Sequence, residues 1–327
     1  IAANRSATQE LSFYDFNKSL LSSRDMTGTL AVNSAMKYGA FVYAGSSVTT
    51  AELQVVRALG DSWASPTVSG VFNAPSTTDA TRSFVSGTTA YVALNKTAAG
   101  PELYIVNVLN PDAPALLSAL EINENVSDVW VNGDYAYLST AGDAKEMVVV
   151  DVSDKAHPSV VGTVDLPTAA DGLSIVGDAA INQVFVGTAN NTTGPGYELY
   201  GIDVSGAKTT SSLTWSRVYN ANGAVYDLDF DSDHKMIYLS TGYTTQELQV
   251  VDVSVANVAV RVDAYNTANN TAYGVDYDPS TGNSFVSLAN GAANDDFYML
   301  KSTNVSNIVP DFTNLSGSST GINGLVL

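Results

Sequence analysis

The sequence contains no cysteine in its 327 residues, so disulfide bonds, thiolate metal sites and cysteine nucleophiles are all excluded. Basic residues are scarce, with 14 Lys and Arg against 33 Asp and Glu, and the formal net charge is −19. This charge repels nucleic-acid phosphates and anionic lipid headgroups, so we expect no nucleic-acid partner and no direct membrane insertion. Long apolar runs are also missing, since none reaches the roughly 18 residues of a membrane-spanning helix.

Lysine is rare, whereas asparagine, serine, threonine and glycine are abundant, a composition that favours an exported protein over a cytosolic enzyme. We therefore expect an extracellular or cell-surface location. The chain begins at Ile1 rather than at methionine, and we expect it to be a window on a longer protein. Nine Asn-x-Ser/Thr sequons are candidate glycosylation sites in that setting. They are Asn4, Asn17, Asn95, Asn125, Asn190, Asn191, Asn269, Asn304 and Asn314.

A hydrophobic run introduced by an acidic residue recurs seven times, for example as Glu146-Met-Val-Val-Val-Asp151. The runs start at Glu10, Glu52, Glu102, Glu146, Glu198, Glu247 and Asp296. Successive starts are separated by 42, 50, 44, 52, 49 and 49 residues. A period of this length is typical of a four-stranded propeller blade and not of a helical repeat.

Each repeat contains four short strand patterns separated by Gly, Asp and Pro, which suits twisted antiparallel strands. In one repeat they cover 127–132, 135–139, 146–152 and 159–164. The sequence therefore predicts an all-β fold, a seven-bladed β-propeller forming one domain over 1–327. We expect six continuous blades at approximately 24–75, 76–122, 123–167, 168–218, 219–266 and 267–318. We expect the last blade to be composite, with residues 1–23 and 319–327 closing the ring as a velcro.

Three blades carry a stricter signature, found in Met147-Val-Val-Val-Asp-Val-Ser-Asp154, Leu199-Tyr-Gly-Ile-Asp-Val-Ser205 and Leu248-Gln-Val-Val-Asp-Val-Ser254. Together with Asp134-Tyr-Ala-Tyr-Leu138, it resembles the LVIVD repeat of bacterial and archaeal surface propellers. The resemblance implies an exported protein with a binding or structural role, and it brings no catalytic residues. Arg57, Asn107 and Lys301 depart from the family's Asp column, which argues against an Asp-dependent metal role shared by all blades.

The acidic residue that opens each run recurs in every blade, which favours a structural role over a ring of cation ligands. We expect its carboxylate to accept hydrogen bonds from loop amides. A second column of aspartates closes several of the runs, at Asp15, Asp151, Asp203 and Asp252. We expect these to form Asx-turns with the backbone that follows.

Functional residues are expected where a repeat breaks its own rule, and the first strands provide such a column. We align it as Gly28, Arg82, Asp128, Gly172, Asp227, Gly274 and Gly324. Arg82, Asp128 and Asp227 are the exceptions, and they are the candidate ligand-binding residues at the mouth of the channel. The alternative is an internal salt bridge that neutralises the channel.

Other chemistry-bearing residues are few. His157 and His234 fall in exposed turns, without the spacing of a catalytic triad or a metal pair, and we expect solvated side chains. Trp130 alternates within a first strand and is predicted to lie between blades. Trp63 and Trp215 lie in or beside loops and are the candidates for stacking against carbohydrate.

These patterns favour a non-catalytic extracellular module for binding or structure at a cell surface, in adhesion, a surface layer or a filament. Its partners would be proteins or glycans, or further copies of itself, and it would require no cofactor. The alternative is a calcium-dependent propeller hydrolase or lyase, with Asp128 and Asp227 as ligands or base at the channel mouth.

Overall fold

The computed structural model describes residues 2–4, 10–14, 20–28, 31–59, 62–75, 78–98, 100–167, 169–191, 196–267, 271–288, 297–302, 307–313 and 322–325. These residues form 28 β-strands. The first eleven are β1 (Ala2–Asn4), β2 (Leu11–Tyr14), β3 (Leu20–Arg24), β4 (Val32–Tyr38), β5 (Phe41–Ser46), β6 (Leu53–Leu59), β7 (Ser62–Phe72), β8 (Ala80–Ser86), β9 (Thr89–Leu94), β10 (Leu103–Asn107) and β11 (Ala115–Leu120). No helix of the described part is long and apolar enough to span a bilayer.

The middle of the chain continues the same alternation of short strands and turns. Its strands are β12 (Val126–Asn132), β13 (Tyr135–Thr140), β14 (Met147–Asp151), β15 (Ser159–Val164), β16 (Gly172–Asp178), β17 (Gln183–Thr188), β18 (Leu199–Asp203) and β19 (Thr214–Tyr219). The last strands are β20 (Val225–Asp231), β21 (Met236–Thr241), β22 (Leu248–Asp252), β23 (Val260–Tyr265), β24 (Ala272–Asp278), β25 (Asn283–Leu288), β26 (Phe297–Lys301), β27 (Val309–Thr313) and β28 (Ile322–Leu325).

Strands that follow one another in the chain pair antiparallel into four-stranded blades, which confirms the all-β propeller architecture. The complete blades are β4–β7, β8–β11, β12–β15, β16–β19, β20–β23 and β24–β27. The first strand of each blade contacts the first strand of the next, so these strands surround an axial channel. Aromatic and aliphatic side chains are buried between blades, in six clusters of described residues.

The prediction of a seven-bladed propeller whose last blade is closed as a velcro is wrong. Six blades are complete, and the described residues of the chain ends form a separate sheet in the order β28-β1-β2-β3. The described residues join β1 to β28 in three pairs, Ala2–Leu325, Ala3–Gly324 and Asn4–Ile322, and the register shifts between Ala3 and Asn4.

The acidic column has the structural role that the repeat predicts. Six glutamates, which we term the blade-junction glutamates, are 0–2% exposed. In each, Oε2 accepts a hydrogen bond from a backbone N–H in the connection between blades. The pairs are Glu10 with Met26 (3.0 Å), Glu52 with Ala74 (2.7 Å), Glu102 with Ile122 (2.8 Å), Glu146 with Leu166 (2.7 Å), Glu198 with Ala221 (2.9 Å) and Glu247 with Thr267 (2.8 Å). The seventh member, Asp296, lies outside the described residues.

The aspartates that end the third strands form the predicted Asx-turns. The side chains of Asp151, Asp203 and Asp252 each accept the backbone N–H two residues further on, at 2.7–2.9 Å. Asn107 departs from the Asp column but does the same, accepting from Leu109 at 2.9 Å. An amide oxygen therefore replaces the carboxylate without loss of the turn. Asp15 lies outside the described residues.

The fourth strands carry a contact between blades that the repeat pattern does not reveal, which we term the outer clasp. At the position next to the register shift, a side chain of the fourth strand forms a hydrogen bond with the backbone of the next blade. The bonded backbone lies near the turn between the third and fourth strands of that blade. Ser22 Oγ donates to Trp63 O (2.6 Å), Ser118 Oγ donates to Lys155 O (2.6 Å), and Asp263 Oδ2 accepts from Ile308 N (2.7 Å).

Glycine occupies the same position in two other blades and brings the backbones closer still. A Cβ added to Gly162 would overlap the carbonyl oxygen of Lys208 and would lie 2.9 Å from Leu213 Cδ1. A Cβ added to Gly70 would overlap the carbonyl oxygen of Pro111. In these five blades the position therefore carries either a short hydroxyl or carboxyl side chain or a glycine, whereas Arg217 and Phe312 occupy it in the other two.

The fourth strands also have a common irregularity. In every blade the register between the third and fourth strands shifts at the same step, for example between Val149 and Val150, or between Ile105 and Val106, and between β6 and β7 it shifts a second time. Such a β-bulge bends the outermost strand and interrupts its free edge. The open edges of the blades are therefore not straight, although some apolar side chains on them, such as Val160, are exposed.

Candidate functional site

The first strands determine which side chains reach the channel, and each contains a β-bulge after its first residue. The register shifts between Val126 and Asp128, for example, so Asp128 pairs with Ser139. The structurally equivalent residues are therefore Ser34, Arg82, Asp128, Ser174, Asp227, Gly274 and Gly324.

Two members of the predicted column are wrong for this reason. Gly28 precedes β4 altogether, and Gly172 occupies the position before the bulge. Ser34 and Ser174 take their places, and both are fully buried. The sequence does not show where a strand contains a bulge. Because the inserted residue moves every later side chain by one position, aligning the strands by their glycines pairs residues that are not equivalent.

Arg82, Asp128 and Asp227 come together although they belong to three different blades. Arg82 Nε lies 3.1 Å from Asp128 Oδ1, and Arg82 Nη2 lies 2.9 Å from Asp227 Oδ1. Asp128 is on the adjacent first strand, whereas Asp227 is two first strands further around the ring. The guanidinium therefore reaches across the channel. Its side chain is 20% exposed, and those of the two aspartates are 9% and 12% exposed.

The remaining carboxylate oxygens bind the backbone of the next first strand. Asp128 Oδ2 accepts from Ile175 N at 3.0 Å, and Asp227 Oδ2 accepts from Val275 N at 3.2 Å. Each aspartate thus has a double role, since it holds Arg82 with one oxygen and an adjacent blade with the other. Both roles are structural, as expected for an internal ion pair.

Burial dominates the electrostatics of this cluster. It raises the pKa of Asp128 to about 6 in spite of the lowering effect of Arg82, and the nearby Asp227 raises it further. Burial also raises the pKa of Asp227, again against Arg82. For Arg82 burial acts to lower the pKa, but the two carboxylates outweigh it and the pKa is raised. Arg82 therefore remains charged, while Asp128 is poised to take up a proton in mild acid.

Two further carboxyl groups lie deeper along the same strands, and the sequence analysis missed them. Asp229 Oδ2 accepts from Tyr277 N at 2.7 Å, and its side chain is hydrogen-bonded to Asp276. Burial raises the pKa of Asp229, and the charge of Asp227 adds to the effect. The signal for both was their alternation with the candidate column, two residues further along β20 and β24.

The channel cluster as a whole contains four carboxyl groups and one guanidinium. Such an excess of carboxyl groups favours bound protons or a cation over an anionic ligand. Within the described ranges, however, no group of three or more His, Asp or Glu side chains is arranged to hold one metal ion. The cluster can therefore position a proton or a cationic group. The oxygens of Asp128 and Asp227 already bind Arg82 and backbone amides, so few carboxylate oxygens are left for a ligand.

The histidines and tryptophans occupy the following places. The side chains of His157 and His234 are 83% and 68% exposed and each contacts a nearby aspartate, which confirms solvated turn histidines. Trp130 contacts Tyr137 of its own blade and lies over Gly177 of the next blade, so it packs between blades as predicted. Trp63 is stacked on Phe13 of the smaller sheet, with ring centroids 4.9 Å apart.

Trp215 is the tryptophan with the more open surroundings. It is 41% exposed on the outer strand β19, and its ring meets that of Tyr200 edge-on, with centroids 5.9 Å apart. The preceding loop is rich in hydroxyl groups, and Thr210 Oγ1 contacts Thr163 Oγ1 of the neighbouring blade at 3.2 Å. An exposed indole beside hydroxyl groups is the type of surface on which sugar rings stack.

The candidate glycosylation sites differ in accessibility. Asn125 and Asn190 are exposed, Asn95 is half-buried, and Asn191 is buried at 8% exposure. The other five lie outside the residues whose side chains are described, namely Asn4, Asn17, Asn269, Asn304 and Asn314. Accessibility therefore favours Asn125 and Asn190, and it disfavours Asn191.

Comparison with known proteins supports the repeat and the fold. Residues 124–166 match the LVIVD repeat family, which confirms the resemblance for the blade β12–β15. No curated protein matches the chain at a significant level.

Among solved structures, a putative 6-phosphogluconolactonase from Bacteroides fragilis has a TM-score of 0.73 at 10% identity, covering 99% of this chain and 95% of that one. The periplasmic gluconolactonase of Pseudomonas aeruginosa has a TM-score of 0.73 at 11% identity, with 98% and 96% covered. A protein from Lactobacillus plantarum has a TM-score of 0.71 at 12% identity, with 98% and 96% covered. At such low identities the likeness shows the propeller fold alone.

Proposed function

We propose that this propeller, with its recognised LVIVD repeat, is a non-catalytic module for binding or structure, acting outside the cell at its surface. The observation that supports the proposal is that the charged groups of the candidate site already bind one another and the adjacent blades. Arg82 engages Asp128 and Asp227 together, and the aspartates use their second oxygens to hold adjacent blades. Aspartates with these contacts stabilise the ring of blades. The outer loops and strands are then the surfaces that can contact a partner.

The partner class that the described surface favours is a neutral glycan, with Trp215 as its stacking platform. The indole is exposed yet fixed by Tyr200, so little side-chain entropy is lost when a sugar ring stacks on it. The net charge of −19 disfavours acidic partners. Protein partners and self-association remain within the same proposal and would use the loop faces.

Replacing Trp215 with Ala is expected to weaken glycan binding by about fivefold, because an aromatic contact contributes roughly 1 kcal/mol beyond its buried area. The measurement is depletion of the protein by insoluble chitin, cellulose and bacterial cell-wall polysaccharide, followed by titration with the soluble fragment that binds best. Val260→Ala is the matched control, since Val260 is also exposed on an outer strand. Equal retention of both variants, or binding of none of the polysaccharides, would contradict the assignment of Trp215.

A calcium-dependent hydrolase is the second candidate, and the surplus of channel carboxyl groups favours it. Asp229 and Asp276 add two carboxyl groups to the pair that Arg82 engages, and carboxylate oxygens are the ligands that Ca²⁺ prefers. Two solved structures similar to this chain carry the names of lactonases, so a lactone is the substrate class to test. In such an enzyme the channel aspartates would have to leave their present partners in order to bind the ion.

For the proposed binding module, hydrolysis of glucono-1,5-lactone is expected to proceed at its spontaneous rate with or without Ca²⁺. The measurement is titration of the acid released at constant pH, accompanied by calorimetric titration of the protein with Ca²⁺. Asp128→Asn is the matched variant, because it keeps the side-chain shape and removes the charge. Calcium-dependent acceleration that disappears in Asp128→Asn would overturn the proposal and establish the second candidate.

A further inference from the structure

The blade-junction glutamates are an unusual set of buried charges. They recur in six sheets at 0–2% exposure, and each uses Oε2 to hold the connection to the next blade. The second oxygen of Glu52 and of Glu146 is buried and accepts no hydrogen bond from another residue. No ion pair of the described residues includes Glu10, Glu52, Glu102, Glu146 or Glu198. Their burial is therefore compensated by amide hydrogen bonds and not by cations.

We infer that five of the blade-junction glutamates make the folded ring more stable in mildly acidic solution than at neutral pH, namely Glu10, Glu52, Glu102, Glu146 and Glu198. A buried carboxylate without a cation is costly, because the charge loses its hydration. Protonation removes the charge but leaves Oε2 able to accept the junction N–H. The folded protein therefore binds protons at these sites more tightly than the unfolded chain, in which the same groups are hydrated.

Glu146 is the clearest member of the set. Burial raises its pKa to about 6, and the amide hydrogen bonds lower that rise only in part. Burial also raises the pKa of Glu10, Glu52, Glu102 and Glu198. Among the ionisable groups around Glu146, Asp143 and Asp165 raise its pKa further. Tyr200 of the next blade and Asp171, which is near Asp143, also belong to its surroundings. The ammonium group of Lys145 is directed elsewhere, since it lies 2.9 Å from Ile122 O and 3.5 Å from Glu124.

The direction of the effect follows from proton binding in the two states. Between the ordinary pKa of 4.5 and the folded value of about 6, the folded protein holds a proton at Glu146 that the unfolded chain has lost. Stability is therefore lost as the pH rises through this window and is regained as the pH falls. Glu146 alone is expected to raise the folding equilibrium constant by roughly tenfold between pH 7.5 and pH 5.0, and the other four add to it.

The exposed Asx-turns act in the opposite direction at lower pH. Side-chain and backbone hydrogen bonds from Ser153 lower the pKa of Asp151, and those from Ser205 lower the pKa of Asp203. The stability that these carboxylates contribute is lost as the pH falls below their ordinary pKa of 3.8. For these two sets together, stability is therefore greatest near pH 4, between the ordinary pKa values of 4.5 and 3.8.

The experiment is urea unfolding of the whole chain at pH 7.5, 6.5, 5.5 and 5.0, followed by fluorescence. The midpoint is expected to move to higher urea with each step toward pH 5.0. Glu146→Gln keeps an oxygen acceptor for Leu166 but cannot titrate, so its midpoint is expected to vary less with pH than that of the unaltered protein. Asp134→Asn is the matched control, because it removes one equal charge from an exposed turn and should leave the slope unchanged.

A midpoint that is constant or falls between pH 7.5 and 5.0 would overturn the inference, as would identical slopes in Glu146→Gln and Asp134→Asn. Glu52→Gln gives the same comparison if Glu146→Gln does not fold. A measurement on the unaltered protein is independent of any variant: unfolding it in unbuffered urea at pH 5.5 is expected to release protons. Uptake of protons would exclude the inference.

Discussion

Replacing Arg82 with Met is expected to lower the free energy of unfolding by about 3 kcal/mol at pH 7.5, since removal of one partner leaves buried charges uncompensated. The methyl thioether fills most of the volume of the arginine stem, so the loss reports the charge and not a cavity. Asp128 and Asp227, which are 9% and 12% exposed, would then confront each other without the guanidinium between them. Urea unfolding, monitored by fluorescence, measures the change.

Two controls separate the ion pair from a general disturbance of the channel. Adding Asp128→Asn and Asp227→Asn to Arg82→Met removes the charges left behind, and is expected to recover much of the loss, as is found when whole buried ion pairs are replaced. Lowering the pH to 5.0 should also reduce the loss in Arg82→Met, because the pKa of Asp128 is already about 6 with Arg82 in place. A loss below about 0.5 kcal/mol in Arg82→Met would mean that the bridge contributes little.

Replacing Gly162 with Ala is expected to cost at least about 2 kcal/mol, because the new methyl group overlaps the backbone of the next blade. The obstacle is the carbonyl oxygen of Lys208, with Leu213 Cδ1 at 2.9 Å behind it, and backbone cannot rotate away as a side chain can. The outer clasp at this position must open for the variant to fold. Thermal unfolding and urea unfolding should both show the loss.

Gly206→Ala is the matched control for this prediction. An added Cβ at Gly206 meets nothing within 4 Å, and its backbone is not in the left-handed region. The substitution there is expected to be neutral or to stabilise by a few tenths of a kcal/mol, because alanine has less freedom in the unfolded chain. If Gly162→Ala and Gly206→Ala unfold at the same urea concentration, the close approach of the two backbones is not under strain.

The propeller could be predicted from the sequence because its determinants recur in every blade. Glu102 and Glu146 stand at the same place in successive repeats, and a periodic column of this kind identifies both the blade and the structural role of its side chains. The Asx-turn at Asp151 is equally local, since its acceptor and donor are two residues apart. Features determined within one blade were therefore accessible.

Features that depend on how blades meet were only partly accessible. Arg82 and Asp227 could be placed at one level of the channel, but the bond between them spans 145 residues and depends on the diameter of the ring. The bulges in the first strands moved Ser34 and Ser174 into positions assigned to glycines, because no residue pattern announces an inserted residue. Gly162, in the middle of a strand, contacts Lys208 in a loop of the neighbouring blade. The sequence around a single glycine does not indicate which residue it contacts.

The irregular outermost strands have a consequence for how copies of this protein can meet. A straight rim would offer its unpaired amides and carbonyls to any extended chain, and discs would then fuse side by side into fibres. Because each rim strand contains an inserted residue, such as Val161 between Val160 and Gly162 in β15, a foreign strand can align with only a few residues before the spacing fails. Any ordered array of these discs must therefore grow through their loop-bearing faces, where side chains and not backbone determine which neighbour is accepted.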